Sequence, residues 1–157
     1  ERFAFRCPND LVDPRSGVIC VPNNYAYSDD RQLEEGVVRF TAQASYDGWS
    51  QLDRETYAER KAYWFDELGK TASKFLPVQS FEEIKKRSIA TDMFTPATVE
   101  KFTGRLRGAV YGSPQKTKTG KTHLNNLFIC GTDQGFLGIV GAMLSGITMA
   151  NLYGLRD

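Results

Sequence analysis

The sequence predicts a fold of the α+β class, on three observations. Residues 3–45 show the alternating pattern of strands, residues 53–76 show the spacing of an amphipathic helix, and an apolar run at residues 127–130 leads through a glycine-rich turn into a helix. The chain has 157 residues, 41% of them hydrophobic and 25% charged, which is enough for one domain with a buried core. We therefore expect an antiparallel sheet with helices, followed by a strand, a turn and a helix.

Two or three antiparallel strands are expected in the first part of the chain, at about residues 3–7, 17–21 and 36–44. Proline, glycine, asparagine and aspartate residues separate these segments and favour turns. Along the third segment polar and apolar side chains alternate, which indicates a half-buried strand with one polar face.

A long helix is predicted next, with Asp53 as its N-cap and Pro77 as its stop. Its aromatic residues have helical spacing, so core packing is favoured over a role in lining a lipid or carotenoid tunnel. These aromatic residues are Tyr57, Tyr63, Trp64 and Phe65.

A short helical turn within residues 78–86 and a strand at 87–94 are expected after the long helix. The pair Thr95-Pro96 then has the capping residue and first-turn proline that begin a helix, which should end near Phe102. Residues 113–122 are polar and basic without an apolar anchor, so they predict a solvated, mobile loop.

A strand at residues 127–130 is predicted to run into a glycine-rich turn and then a helix that extends to about Tyr153. Glycine lets a ligand approach the backbone, and the first N–H groups of a helix are unpaired donors that favour partial negative charge. A pyrophosphate or a flavin carbonyl oxygen would suit such a position. The alternative is that these glycines serve only tight packing between strand and helix.

The string FICGTDQGFLGIVGAMLSGITMAN, residues 128–151, resembles the C-terminal flavin-binding segment of the phytoene desaturase, carotenoid isomerase, retinol saturase and amine oxidase superfamily. The likeness depends on Gly131-Thr132-Asp133 and on the small-residue pattern from Gly138 to Gly146. Upstream, the string RGAVYG at residues 107–112 and the Thr-Pro pair before the short helix also resemble that family.

The resemblance implies an FAD cofactor and a set of residues that contact it. Asp133 would hydrogen-bond the ribityl or phosphate part of FAD, and backbone N–H groups near Val140 would meet the pyrimidine oxygen of the flavin ring. Ser145 would be a small packing residue of the same helix. The cofactor-binding residues implied in this way are Gly131, Thr132, Asp133, Gly138, Ile139, Val140, Gly141 and Ala142.

The resemblance also implies a division of the chain. Residues 1–112 would be part of a substrate-binding domain, 113–124 a loop, and 125–157 the terminal strand and helix of a Rossmann-like FAD-binding domain. The parent protein would desaturate, saturate or isomerise a polyene or another apolar small molecule. Because no G-x-G-x-x-G fingerprint occurs in the sequence, we expect the remainder of the protein's own chain to complete the FAD site and this segment alone to be inactive.

Two other functions remain open at this stage, an amine oxidase-like flavoenzyme and a non-catalytic binding domain. The sequence identifies no catalytic residue. Gly120 and Lys121 resemble the end of a P-loop, but Gln115 stands where its first glycine is required. His123 has no companion ligands for a metal site, and Ser145 lacks the G-x-S-x-G context of a nucleophile.

Charge and composition exclude some partners and locations. A formal net charge of +1 gives no field that would attract a nucleic acid. Three separated cysteines, Cys7, Cys20 and Cys130, fit reduced thiols, and no signal sequence is present. Small and polar residues interrupt the apolar run 136–153, which fits a buried helix better than a membrane span. A cytoplasmic location is expected, and peripheral membrane contact stays open.

Overall fold

A computed structural model of the chain describes residues 11–31, 33–78, 80–113 and 115–155, with the side chain of Ser16 left aside. Within these ranges helices are combined with a small antiparallel sheet, so the chain is of the α+β class. The chain forms two compact units, Glu1–Thr98 and Val99–Asp157.

The sheet of the first unit has two strands, β1 (Val12–Cys20) and β2 (Arg39–Ala44), paired antiparallel. Their register shifts between Asp13 and Gly17, where β1 bulges. The predicted strands at 17–21 and 36–44 are therefore confirmed with different bounds, the first longer and the second shorter. The predicted strand at 3–7 lies outside the described residues.

Side chains of β2 alternate in exposure, which confirms the predicted strand with one polar face. Phe40 is among the half-buried residues, while Arg39 is exposed.

In β1, the guanidinium of Arg15 donates to both carboxylate oxygens of the buried Asp13, at 2.8 and 2.7 Å. These hydrogen bonds hold the pKa of Asp13 below its ordinary value.

The core of the first unit forms around Trp49, which lies in a short helix, α1 (Tyr46–Ser50), that was not predicted. Trp49 is 1% exposed, and its indole Nε1 donates to the carbonyl oxygen of Leu11 at 3.2 Å. Its ring meets that of Tyr57 edge-on at 5.4 Å. The indole thus joins the start of the sheet region to the long helix.

The long helix, α2 (Arg54–Ser73), begins after Asp53 as predicted. The Asp53 carboxylate accepts from the backbone N–H groups of residues 55 and 56, and its hydrogen bond from the Thr56 hydroxyl is the main reason that its pKa is lowered. Trp64 is 5% exposed and belongs to the core. The expectation of core packing is wrong for Tyr63, which is 52% exposed.

Two shorter helices follow, α3 (Phe81–Arg87) and α4 (Pro96–Thr103). The start of α4 is as predicted, since the Thr95 hydroxyl oxygen accepts from the N–H of Thr98 at 3.2 Å. The predicted strand at 87–94 is wrong. Arg87 still belongs to α3, and residues 88–94 form no strand in the structure.

The second unit contains α5 (Gly138–Met149), continued by a π-helical turn at Ala150–Gly154, which agrees with the predicted helix. The predicted strand at 127–130 is wrong. In the described part of the chain, the backbone pairing of these residues is limited to one antiparallel bridge, between Lys121 and Phe128. A strand needs a neighbour for its ladder, and this unit supplies one residue pair. Among the residues described, no helix has both the length and the apolarity to cross a membrane.

Candidate functional site

The predicted cofactor residues form two groups in the second unit. Gly131–Asp133 is a single 3₁₀ turn entered from an extended backbone at Cys130, and Gly138 begins α5. Residues 134–137 connect the two groups. The predicted turn and helix start are thus both present, joined by a four-residue connector.

The glycines of this region are needed for different reasons. Gly131 has φ +86° and Gly138 has φ +75°, and a Cβ added at either would meet no atom within 4 Å. A Cβ at Gly141 would lie 3.1 Å from the backbone carbon of Phe136. Close packing therefore explains Gly141. At Gly131 and Gly138 the positive φ explains the glycine, and the space beside the backbone is open.

Asp133 holds the backbone near Ser113. Its Oδ1 accepts from the Ser113 N–H at 2.7 Å, and the residue is half-buried. Gly112, with φ +73°, fits against the same carboxylate, where a Cβ would collide with Oδ1 and lie 3.1 Å from the Thr132 hydroxyl oxygen. The carboxylate and the turn that carries it therefore stand against residues 112–113.

The first turn of α5 is open at its N-terminus. Leu137, the N-cap, has an extended backbone, and its own side chain makes no capping hydrogen bond to the first turn. Ile139 is 83% exposed and Val140 is 70% exposed, while Gly141 and Ala142 are half-buried. The helix start thus offers backbone donors at an accessible surface.

A buried network of hydrogen bonds, which the sequence interpretation missed, connects the turn to α5. Ser145 is fully buried; its Oγ accepts from the Gly131 N–H at 2.6 Å and donates to Oε1 of Gln134 at 2.5 Å. Gln134, 4% exposed, donates from Nε2 to the Lys118 carbonyl at 3.1 Å. We call this the Ser145 network (Gly131, Gln134 and Ser145). A serine and a glutamine within an apolar segment were the available signal.

Hydrogen bonds hold the basic loop at 113–122 to its surroundings, and these bonds oppose the mobility that the lack of an apolar anchor predicts. The Thr117 N–H donates to the Asp133 carbonyl at 2.8 Å, and the carbonyl of the buried Gly120 accepts from the Ile129 N–H at 2.7 Å. The phenol of Tyr153 donates to a carbonyl of the same loop, that of Thr119. Contacts distant in sequence thus replace the apolar anchor.

Amide hydrogen exchange should detect this fixed loop. We expect slower exchange at the N–H groups of Thr117 and Ile129 than at Asn125, because a hydrogen-bonded amide exchanges only when its bond opens. Exchange of all three at the rate of an unstructured peptide would contradict the described contacts.

Substitution of Gly120 should destabilise the second unit through overpacking. Gly120 has φ +71°. A Cβ added there would collide with the Met149 sulfur and lie 2.9 Å from the Ile129 carbonyl oxygen. Gly104 is a matched control, because its φ is +67° and nothing lies within 4 Å of the added Cβ. We expect Gly120→Ala to cost about 1–3 kcal/mol more than Gly104→Ala in urea unfolding. Equal losses would mean that backbone strain alone accounts for both.

A buried polar network joins the glycine turn to Ser145 within α5, whose first turn has no side-chain cap. The chain matches no protein-family model, no curated protein and no solved structure.

Proposed function

We propose that this chain is the C-terminal part of an FAD-dependent oxidoreductase that acts on a polyene or another apolar substrate. The observation that carries the proposal is the open backbone at Gly131 and Gly138 together with the uncapped start of α5. In this proposal residues 125–157 belong to a Rossmann-like FAD-binding domain and residues 1–112 to a substrate-binding domain.

The donors at the helix start suit a flavin oxygen. The N-terminal end of a helix carries partial positive charge, which favours an oxygen that becomes more negative as the ring is reduced. FAD, when bound, would supply the hydride chemistry, and the chain's N–H groups would stabilise the resulting charge. The residues that would hold the cofactor are Gly131, Thr132, Asp133, Gly138, Ile139, Val140, Gly141 and Ala142.

Asp133 retains capacity for a cofactor contact. A carboxylate offers about four lone-pair positions on its two oxygens, and the Ser113 N–H uses one of them on Oδ1. A ribityl hydroxyl could donate to the remaining positions. The bond to Ser113 would then fix the orientation of the carboxylate before the cofactor arrives, which favours binding by preorganisation.

The apolar surface of α5 supports a larger parent protein. The outer stripe of the helix repeats at helical spacing, and soluble proteins rarely leave a continuous apolar stripe uncovered. Leu127, in the extended segment, is also 51% exposed. In the proposed protein the remainder of the chain covers these residues and supplies the pyrophosphate site. The stripe comprises Ile139 (83% exposed), Val140 (70%), Met143 (63%), Leu144 (50%) and Ile147 (55%).

The proposal is tested by the visible absorption spectrum of the purified full-length protein. Flavin bands are expected, and their absence after reconstitution with FAD would refute the proposal. The isolated chain should show no saturable quenching of FAD fluorescence at about micromolar protein, because it lacks the dinucleotide fingerprint. Tight binding to the isolated chain would mean that the proposed division of the site is wrong.

A further inference from the structure

Ser145 uses both hydrogen-bonding functions of its hydroxyl within the second unit. The oxygen accepts from the Gly131 N–H, and the hydroxyl proton goes to Gln134, whose amide in turn donates to the Lys118 carbonyl. Each hydrogen-bonding group of the Ser145 network satisfies another buried polar group. An unpaired polar atom at such a buried position would cost free energy of folding. The network therefore fixes three chain segments relative to one another.

The last two residues of the connector between the turn and α5 are largely accessible to solvent. Phe136 is 39% exposed and Leu137 is 54% exposed. Besides the close approach of Gly141 to Phe136, the turn is tied to the helix through Ser145, which bonds both Gly131 and Gln134, and through a contact of Gln134 Nε2 with the Met149 sulfur at 3.8 Å. Ser145 takes part in two of these hydrogen bonds, so we expect loss of its hydroxyl to let the turn shift relative to the helix.

We infer that Ser145 and Gln134 are positioning residues that hold the Gly131–Asp133 turn in register with the first turn of α5, so that both can contact one FAD molecule. The inference rests on the proposed function and adds to it a pair of buried residues that do not touch the cofactor. It also corrects the interpretation of Ser145 as a residue chosen for small size alone.

The test uses full-length protein with Ser145→Ala and a matched hydroxyl deletion on the same helix. Thr148→Val is the control, since the Thr148 hydroxyl donates at 2.8 Å to the Leu144 carbonyl within its own helix and makes no bond to the turn. We expect Ser145→Ala to raise the Kd of FAD about tenfold and Thr148→Val to leave it within about twofold.

Two further measurements separate positioning from simple stability. At saturating FAD, Ser145→Ala should show a shifted flavin absorption band and a lowered reduction potential, because the donors at the helix start no longer meet the ring correctly. A purely structural role would leave both as in wild type once the protein is loaded. Amide exchange at Gly131, which needs no cofactor, should become faster in Ser145→Ala.

Gln134→Glu provides a second variant should Ser145→Ala fail to fold. A buried carboxyl has a raised pKa, and in its protonated form it can both accept from Ser145 and donate to the Lys118 carbonyl. FAD binding should therefore approach wild type at low pH and weaken as pH rises through the carboxyl's pKa, over a range in which wild type changes little. A profile parallel to wild type would contradict the inference.

The outcomes distinguish this inference from the proposed function. Wild-type protein that binds no flavin would overturn both. Wild type that binds FAD would overturn the positioning role alone if Ser145→Ala retained the wild-type Kd, spectrum and potential, or if Gln134→Glu retained the wild-type Kd at every pH tested.

Discussion

Replacement of Asp133 by alanine in the full-length protein is expected to weaken FAD binding by roughly tenfold to hundredfold, whereas Asp30→Ala should leave it unchanged. A hydrogen bond to a charged acceptor is worth about 1.5–3 kcal/mol, which corresponds to this loss of affinity. Asp30 is an exposed residue in the first unit, in a 3₁₀ turn at Asp29–Arg31 without any cofactor motif. It is therefore a suitable charge-matched control.

The measurement is the rise in melting temperature that FAD produces in each variant at matched cofactor concentration. A ligand that binds the native state stabilises it according to its concentration relative to Kd, so a weaker site gives a smaller rise. Asp133 also accepts from the Ser113 N–H, and a purely structural role would lower the melting temperature equally with and without FAD. An unchanged FAD-dependent rise in Asp133→Ala would remove this residue from the cofactor site.

Elements with local signals were predicted well from the sequence. Asp53 and Thr95 cap helices through side-chain bonds to residues two or three positions ahead, so their role is visible in a short stretch of sequence. The alternation of polar and apolar residues in β2 likewise predicts which face of the strand is half-buried. These features depend on neighbours in the chain rather than on the tertiary structure.

Elements that need distant partners were predicted poorly. The apolar run at 127–130 has the composition of a strand, but one bridge to Lys121 is the pairing found in the described chain. The Ser145 network joins residues that are 11 and 14 positions apart in sequence. Helical periodicity places Ser145 on α5 but cannot reveal that its hydroxyl meets the turn. The same limitation hid the anchoring of the basic loop.

The largest loss of stability is expected from Trp49→Ala in the first unit. Removal of a large buried aromatic side chain costs about 3–5 kcal/mol, because the lost transfer free energy is combined with the cost of a cavity. Trp49 is 1% exposed and belongs to a core cluster with Leu11, Val12 and Trp64. Urea unfolding followed by far-ultraviolet circular dichroism measures the change. The exposed aromatic Tyr63 serves as a control, and Tyr63→Ala should cost about 1 kcal/mol or less.

Trp49→Phe divides this loss between burial and hydrogen bonding. Phenylalanine retains much of the apolar volume but loses the Nε1 donor to the Leu11 carbonyl. That carbonyl also accepts from the Ser45 N–H at 2.9 Å, so it keeps a partner, and the hydrogen-bond part of the loss should be only about 0.5–1.5 kcal/mol. We therefore expect Trp49→Phe to retain most of the stability that Trp49→Ala loses. A Trp49→Phe variant as unstable as Trp49→Ala would instead mean that the indole bond determines the position of Leu11, and that the sheet and α1 depend on it together.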